Sequence, residues 1–151
     1  MPGCRHTHWN SGSPEQNKRY LRRHPDRPLT PWCQLFSEPG SGSDLAGAST
    51  RADKDGDRWL INGQKVWNTS AHHADYGILV ARTDWDVPTP GTQLLYPDMK
   101  QPGVEVRQLK QMNGHASFNE VFSLTQSREP DDLVGEQVRQ DRPLRHCDTF
   151  T

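Results

Sequence analysis

Short apolar runs separated by turn residues begin at Trp32 and stop near Leu124; outside those limits the pattern lapses. Trp32–Phe36, Thr50–Lys54, Arg58–Ile61, Gln64–Thr69, Tyr76–Arg82, Thr92–Tyr96, Gly103–Leu109 and Phe118–Leu124 each read as a strand, the last three bounded by Gly, Pro or Asn. Asp55-Gly56-Asp57 signals a hairpin between the second and third runs, and Asn62-Gly63 predicts a second tight turn. Tyr76–Arg82 is a continuous apolar run up to its terminal arginine, as a buried strand would be. Seven or eight short strands without βαβ alternation predict a mainly β fold, a barrel or two-sheet sandwich, and exclude a Rossmann arrangement. One short helix precedes it. Ser13-Pro14-Glu15-Gln16 offers a Ser cap, Pro at the first helical position and Gln to close a capping box, with Tyr20 and Leu21 on its buried side. Pro25, Pro28 and Pro31 then bar continuation.

The chain therefore divides into 1–31 (helix and connector), 32–124 (β-domain) and 125–151 (exit segment and disordered tail). Only 31% of residues are hydrophobic, so the core is small and must come from the middle segment. Eighteen basic against 19 acidic residues give a net charge of −1, which gives no support to nucleic-acid binding. Cys4, Cys33 and Cys147 are odd in number and irregularly spaced, which argues against a disulfide framework. With no membrane-span pattern and a polar start to the chain, the expected location is the cytoplasm. Cys4, His6 and His8 alternate and His72-His73 are adjacent, but without a second pair at finger spacing no metal site is expected.

The chemistry concentrates at two loci. Ser37-Glu38-Pro39-Gly40-Ser41-Gly42-Ser43-Asp44 is a glycine-rich loop flanked by hydroxyls, in which Gly40 and Gly42 can take positive φ and form an anion-binding nest. In Trp67-Asn68-Thr69 an extended backbone puts the indole and the hydroxyl on one face. Taken alone, the first is equally a plain surface turn and the second an aromatic core anchor beside an ordinary strand threonine. Together they describe a surface for a planar, phosphate-bearing cofactor: backbone N–H groups for phosphates, an aromatic wall, and a hydroxyl for a ring nitrogen.

These segments, with Asp57 through Asn62-Gly63-Gln64-Lys65 between them, resemble in order and spacing the central β-domain of acyl-CoA dehydrogenases, over about Trp32 to Glu136. The resemblance implies FAD as cofactor, an acyl-CoA thioester as substrate, α,β-dehydrogenation as the parent reaction, a role in fatty acid metabolism, and an electron-transfer flavoprotein as redox partner. It implies that Ser37 bonds the pyrimidine side of the flavin beside the backbone of Gln34, Leu35 and Phe36. Gly40, Gly42 and Ser43 would lie near the pyrophosphate, with Ser43 also near the thioester. Trp67 would wall the ring, Asn68 would share the binding segment, and the Thr69 hydroxyl would bond flavin N5.

The likeness has gaps. Tyr96-Pro97 interrupts the strand that usually runs into Asp98-Met99, and Ser123–Glu129 departs from the family wording. Glu38, Glu105, Glu120 and Glu136 all belong to the β-domain pattern, so none is assigned as the family's catalytic base, which implies a fragment inactive alone. The rival reading is a non-catalytic domain or a weak flavin or CoA binder. Separated from helical neighbours, such a domain would bare apolar patches around Trp32, Leu35 and Phe36, from which self-association is expected.

Overall fold

The computed structural model describes residues 13–20, 30–56, 58–85 and 91–128. Helix α1 (Pro14–Tyr20) starts as its sequence requires: the Gln16 amide donates to Ser13 Oγ at 3.1 Å and the Ser13 amide to Gln16 Oε1 at 2.8 Å. Seven strands follow: β1 (Trp32–Leu35), β2 (Arg51–Asp55), β3 (Arg58–Thr69), β4 (Tyr76–Asp84), β5 (Gly91–Leu95), β6 (Val104–Leu109) and β7 (Phe118–Arg128). They form one curled sheet in the order β1-β4-β2-β3-β7-β6, with β5 on β4. β1 and β2 run parallel to β4, and the other pairings are antiparallel. The mainly β fold read from the sequence is the fold observed.

The β2–β3 hairpin turns where expected, with Asp55 opposite Arg58 and Gly56 at φ 58°; Asp57 itself lies outside the described residues. The turn expected at Asn62-Gly63 does not form. β3 runs unbroken for 12 residues, with a register shift against β7 between Ile61 and Gly63. The glycine serves close packing instead: a Cβ at Gly63 would stand 2.8 Å from Thr50 Cα. β7 likewise continues past Leu124 to Arg128, because the first half of β3 takes its backbone pairing from Gln126, Ser127 and Arg128. Pro97 does not end pairing either. Its carbonyl accepts from the Gly77 amide at 2.9 Å, and the Met99 amide donates to the Asp75 carbonyl at 2.8 Å.

Side-chain alternation in β1 and β4 builds two apolar layers. Cys33, Leu35, Leu79 and Ala81 face the inner core with Trp59, Ile61, Leu95 and Val121. Trp32 and Ile78 face the other way, into a cluster with Tyr20 and Tyr96. The Tyr20 ring meets those of Trp32, Tyr76 and Tyr96 at 6.0, 5.2 and 5.4 Å, edge to face. This corrects the expectation of an exposed apolar patch: Trp32 and Leu35 are buried and Phe36 is half-buried, because Tyr20 of α1 packs with Trp32 in the outer cluster, Phe36 lies against that cluster and Leu35 points into the core. Among the described residues no helix is long and apolar enough to cross a membrane, and no group of three or more His, Cys, Asp or Glu could hold a metal ion. Cys4, His6, His8, Leu21, the connector and the segment from 129 onward, including Leu133–Glu136, lie outside the described residues.

Candidate cofactor-facing site

The glycine-rich loop leaves β1 and is anchored by one buried carboxylate. Glu38 Oε1 accepts from Lys65 Nζ at 2.7 Å, Thr50 Oγ1 at 2.6 Å and the Thr50 amide at 2.9 Å. Its Oε2 accepts from the Ser49 amide and Ser49 Oγ, both at 2.7 Å. Lys65 Nζ also donates to the Phe36 carbonyl at 3.0 Å. Both charged side chains are almost wholly buried, 4% and 3% exposed, so this pair is shielded from solvent in a way that surface pairs are not. Burial alone would raise the Glu38 carboxyl, but the donors from Lys65, Thr50 and Ser49 outweigh it and hold the group at about 2. Lys65 moves the other way: burial lowers its ammonium by more than Glu38 restores. The carboxylate is the better-satisfied partner.

That pair ties the loop to β3 at the point where the second motif begins. The Val66 amide donates to the Ser37 carbonyl at 2.9 Å, and Asn68 Nδ2 to the Gln34 carbonyl at 2.8 Å. The structure thus brings Gln34, Phe36 and Ser37 against Lys65, Val66 and Asn68. Within this segment β3 slips register against β7 between Lys65 and Asn68, and Trp67 adopts φ 60°. A left-handed conformation is a strained one for a bulky side chain. It leaves the indole 63% exposed, while Asn68 is buried and Thr69 half-buried. Phe118 meets the indole edge to face at 6.1 Å. Trp67 and Thr69 therefore share the outward side, but through a bulge instead of plain alternation.

The Leu35 side chain belongs to the core, so a role for this residue rests on its backbone, the part the sequence reading had named. Two expectations change in detail. Asn68 turns inward to Gln34, so its amide braces the two motifs and does not line the surface. Gly40 and Gly42 do not take positive φ; the loop closes through the Glu38 and Ser41 backbones, which exchange bonds of 2.7 and 3.2 Å. Yet a Cβ at Gly40 or Gly42 would meet nothing within 4 Å. The fold does not itself require glycine at either position, whereas a close-approaching ligand would. Asp44 precedes a short 3-10 turn (Leu45–Gly47) without a side-chain capping bond, and Ser43 is exposed beyond the Glu38 tie.

Residues 33–123 match the family described as acyl-CoA dehydrogenase, middle domain. The chain belongs to the acyl-CoA dehydrogenase family. Over 129 residues it is 45% identical to acyl-CoA dehydrogenase FadE34 of Mycobacterium tuberculosis, covering 82% of this chain and 17% of that protein. The acyl-CoA dehydrogenase of Geobacillus kaustophilus superimposes with a TM-score of 0.78 at 32% identity, over 86% of this chain and 35% of that one. A glutaryl-CoA dehydrogenase from Mycobacterium smegmatis, solved with FADH2, gives 0.74 at 26% identity, over 86% of this chain and 33% of that one. The chain thus spans about a third or less of these relatives' length.

Two features of this acyl-CoA dehydrogenase domain were not singled out in the sequence. The Glu38–Lys65 pair joins residues 27 apart in the chain, and only a glutamate before Pro-Gly and a lysine inside a strand hint at it. Asn119 is fully buried opposite Asn68, and nothing in Phe118-Asn119-Glu120 marks it.

Proposed function

We propose that this chain forms the flavin- and thioester-facing wall of an FAD-dependent acyl-CoA dehydrogenase, an enzyme that introduces a double bond between the α and β carbons of an acyl-CoA thioester. The observation that carries the reading is the strained, outward Trp67 beside the Thr69 hydroxyl, held against the exit of β1 by the Ser37 carbonyl. Backbone strain at an exposed indole persists only where surrounding contacts enforce it, and such positions cluster at ligand sites. The chain residues fit the group: an open aromatic face for a ring, a half-buried hydroxyl, and a loop with room above Gly40 and Gly42. The related glutaryl-CoA dehydrogenase carries FADH2.

FAD, when bound, supplies the acceptor for hydride from the β-carbon. Trp67 would exclude water from one ring face, and the Thr69 hydroxyl would donate to the ring nitrogen that gains charge. Ser37 and the backbone of Gln34–Phe36 would flank the pyrimidine side, while Gly42 and Ser43 would face the pyrophosphate and the thioester. Glu38 cannot serve as a base near neutrality, because a carboxyl held at about 2 and bonded to Lys65 has little affinity for a proton. Glu105 is exposed and bonded to Arg107 Nε at 2.7 Å. Neither Glu38 nor Glu105 is assigned as the base that removes the α-proton, and reoxidation is assigned to an electron-transfer flavoprotein.

Titration of the purified chain with FAD, followed by flavin absorbance and calorimetry, tests this. Binding is expected weaker than about 1 μM, a threshold equivalent to roughly −8 kcal/mol, with Trp67→Ala and Thr69→Ala weakening it further. Sub-micromolar binding would refute the view that this wall is only part of the cofactor site. Binding indifferent to both substitutions would refute the site.

A further inference from the structure

Trp67, in its left-handed conformation, stands between two residues that are each held by a hydrogen bond to another part of the chain. On the N-terminal side the Val66 amide is bound to the Ser37 carbonyl. On the C-terminal side the restraint comes from Asn119, which is 0% exposed and lies opposite Asn68 in the β3–β7 register. Asn119 Nδ2 donates to the Asn68 carbonyl at 2.7 Å and to the Ser117 carbonyl at 3.2 Å. With two carbonyl oxygens on one side of the amide, that side must be the NH2 group. Asn119 Oδ1 is left facing His72 Nδ1 at 2.9 Å, so His72 donates from Nδ1. Asn68 in turn reaches the Gln34 carbonyl. A continuous chain, His72–Asn119–Asn68–Gln34, thus runs from the short 3-10 turn Ala71–His73 through β7 and β3 to β1.

We propose that Asn119 is a positioning residue that fixes the bulge at Trp67, and with it the presentation of the indole and the Thr69 hydroxyl, while His72 sets the orientation of the Asn119 amide. The proposal rests on the cofactor-facing reading above. Physically, the register slip interrupts the β3–β7 ladder between Lys65 and Asn68, immediately before the buried Asn68, whose carbonyl must find a donor. Asn119 is the donor that reaches it. Remove that donor, and Asn68 is free to rotate its peptide toward β7, which relaxes Trp67 to extended φ and turns the indole out of its presented position.

The test is made on the isotopically labelled chain without cofactor. The three-bond amide–α-proton coupling and the carbon shifts of Trp67 report its φ directly. In Asn119→Ser, whose hydroxyl is too short to reach the Asn68 carbonyl, these values are expected to move from left-handed to extended. His72→Ala, which deletes a half-buried side chain and leaves the β3–β7 pairing, should move them the same way by a smaller amount. The Trp59 indole signal, in the core, should stay in place, which a merely structural loss of packing would not allow. Left-handed Trp67 values in either folded variant would overturn the role of that residue. FAD titration of the same variants separates the two claims. If Trp67 relaxes but FAD affinity equals that of the parent chain, the positioning role stands and the cofactor assignment falls.

Discussion

Lys65→Met is the sharpest perturbation of this fold, because it deletes one charge from a pair that is almost free of solvent. The substitution keeps the stem that packs in β3 but removes the 2.7 Å bond to Glu38 and the 3.0 Å bond to the Phe36 carbonyl. Glu38 keeps four donors from Ser49 and Thr50, yet it becomes an uncompensated buried charge. Breaking such a pair typically costs about 3–5 kcal/mol. With a urea slope of about 2 kcal/mol per M, the unfolding midpoint should fall by about 2 M. Glu38→Gln strands the buried ammonium instead, and should cost a similar amount. The double variant Glu38→Gln/Lys65→Met removes both charges and should lose markedly less than the sum of the two. Urea unfolding of the four proteins closes the cycle. A coupling energy below about 0.5 kcal/mol, the limit expected for independent sites, would refute the claim that these groups form one buried unit. So would a Lys65→Met midpoint within about 0.3 M of the parent, the shift that roughly 0.5 kcal/mol would give at that slope.

Other outcomes follow from the same geometry. Glu38 is depressed from 4.5 to about 2, so its contribution is complete above pH 4.5 and is lost as pH falls from there through 2. At about 1.4 kcal/mol per unit of difference, that is about 3 kcal/mol at neutral pH, and the acid slope measured by urea unfolding between pH 4.5 and 2 should flatten in Glu38→Gln. Gly63→Ala puts a methyl 2.8 Å from Thr50 Cα and pushes Thr50 off Glu38; a loss of about 1–3 kcal/mol is expected in thermal or urea unfolding, and a neutral result would contradict the packing role of this glycine. Trp67→Gly relieves a positive φ in an exposed side chain, so the fold should be unchanged or gain about 1 kcal/mol while FAD binding falls; lower stability would mean that the indole supports the fold and is not merely presented by it.

Period-two patterning and turn chemistry are local, and local features were legible. The capping box at Ser13–Gln16, the hairpin at Asp55–Arg58 and the apolar β4 all stand where the residues placed them. The family wording of Ser37–Asp44 and Trp67–Thr69 was legible too, because a loop and a strand segment each carry their own signature. What sequence could not supply was partnership across the sheet. Asn62-Gly63 has the composition of a tight turn, yet it is strand because β2 pairs at Asn62 and β7 at Gly63, while Thr50 occupies the space a Cβ at Gly63 would need. Glu38 and Lys65 become a buried pair only once the sheet curls β1 against β3. Trp32 is covered by Tyr20, Tyr76 and Tyr96, which come from three separate segments of the chain. The left-handed turn at Trp67 has no local cause, since Trp disfavours it; hydrogen bonds from Val66 to Ser37 and from Asn119 to Asn68 impose it. Side-chain periodicity is written in neighbours along the chain, whereas buried charge, close approach and strain depend on neighbours in space, and those are chosen only when the sheet closes.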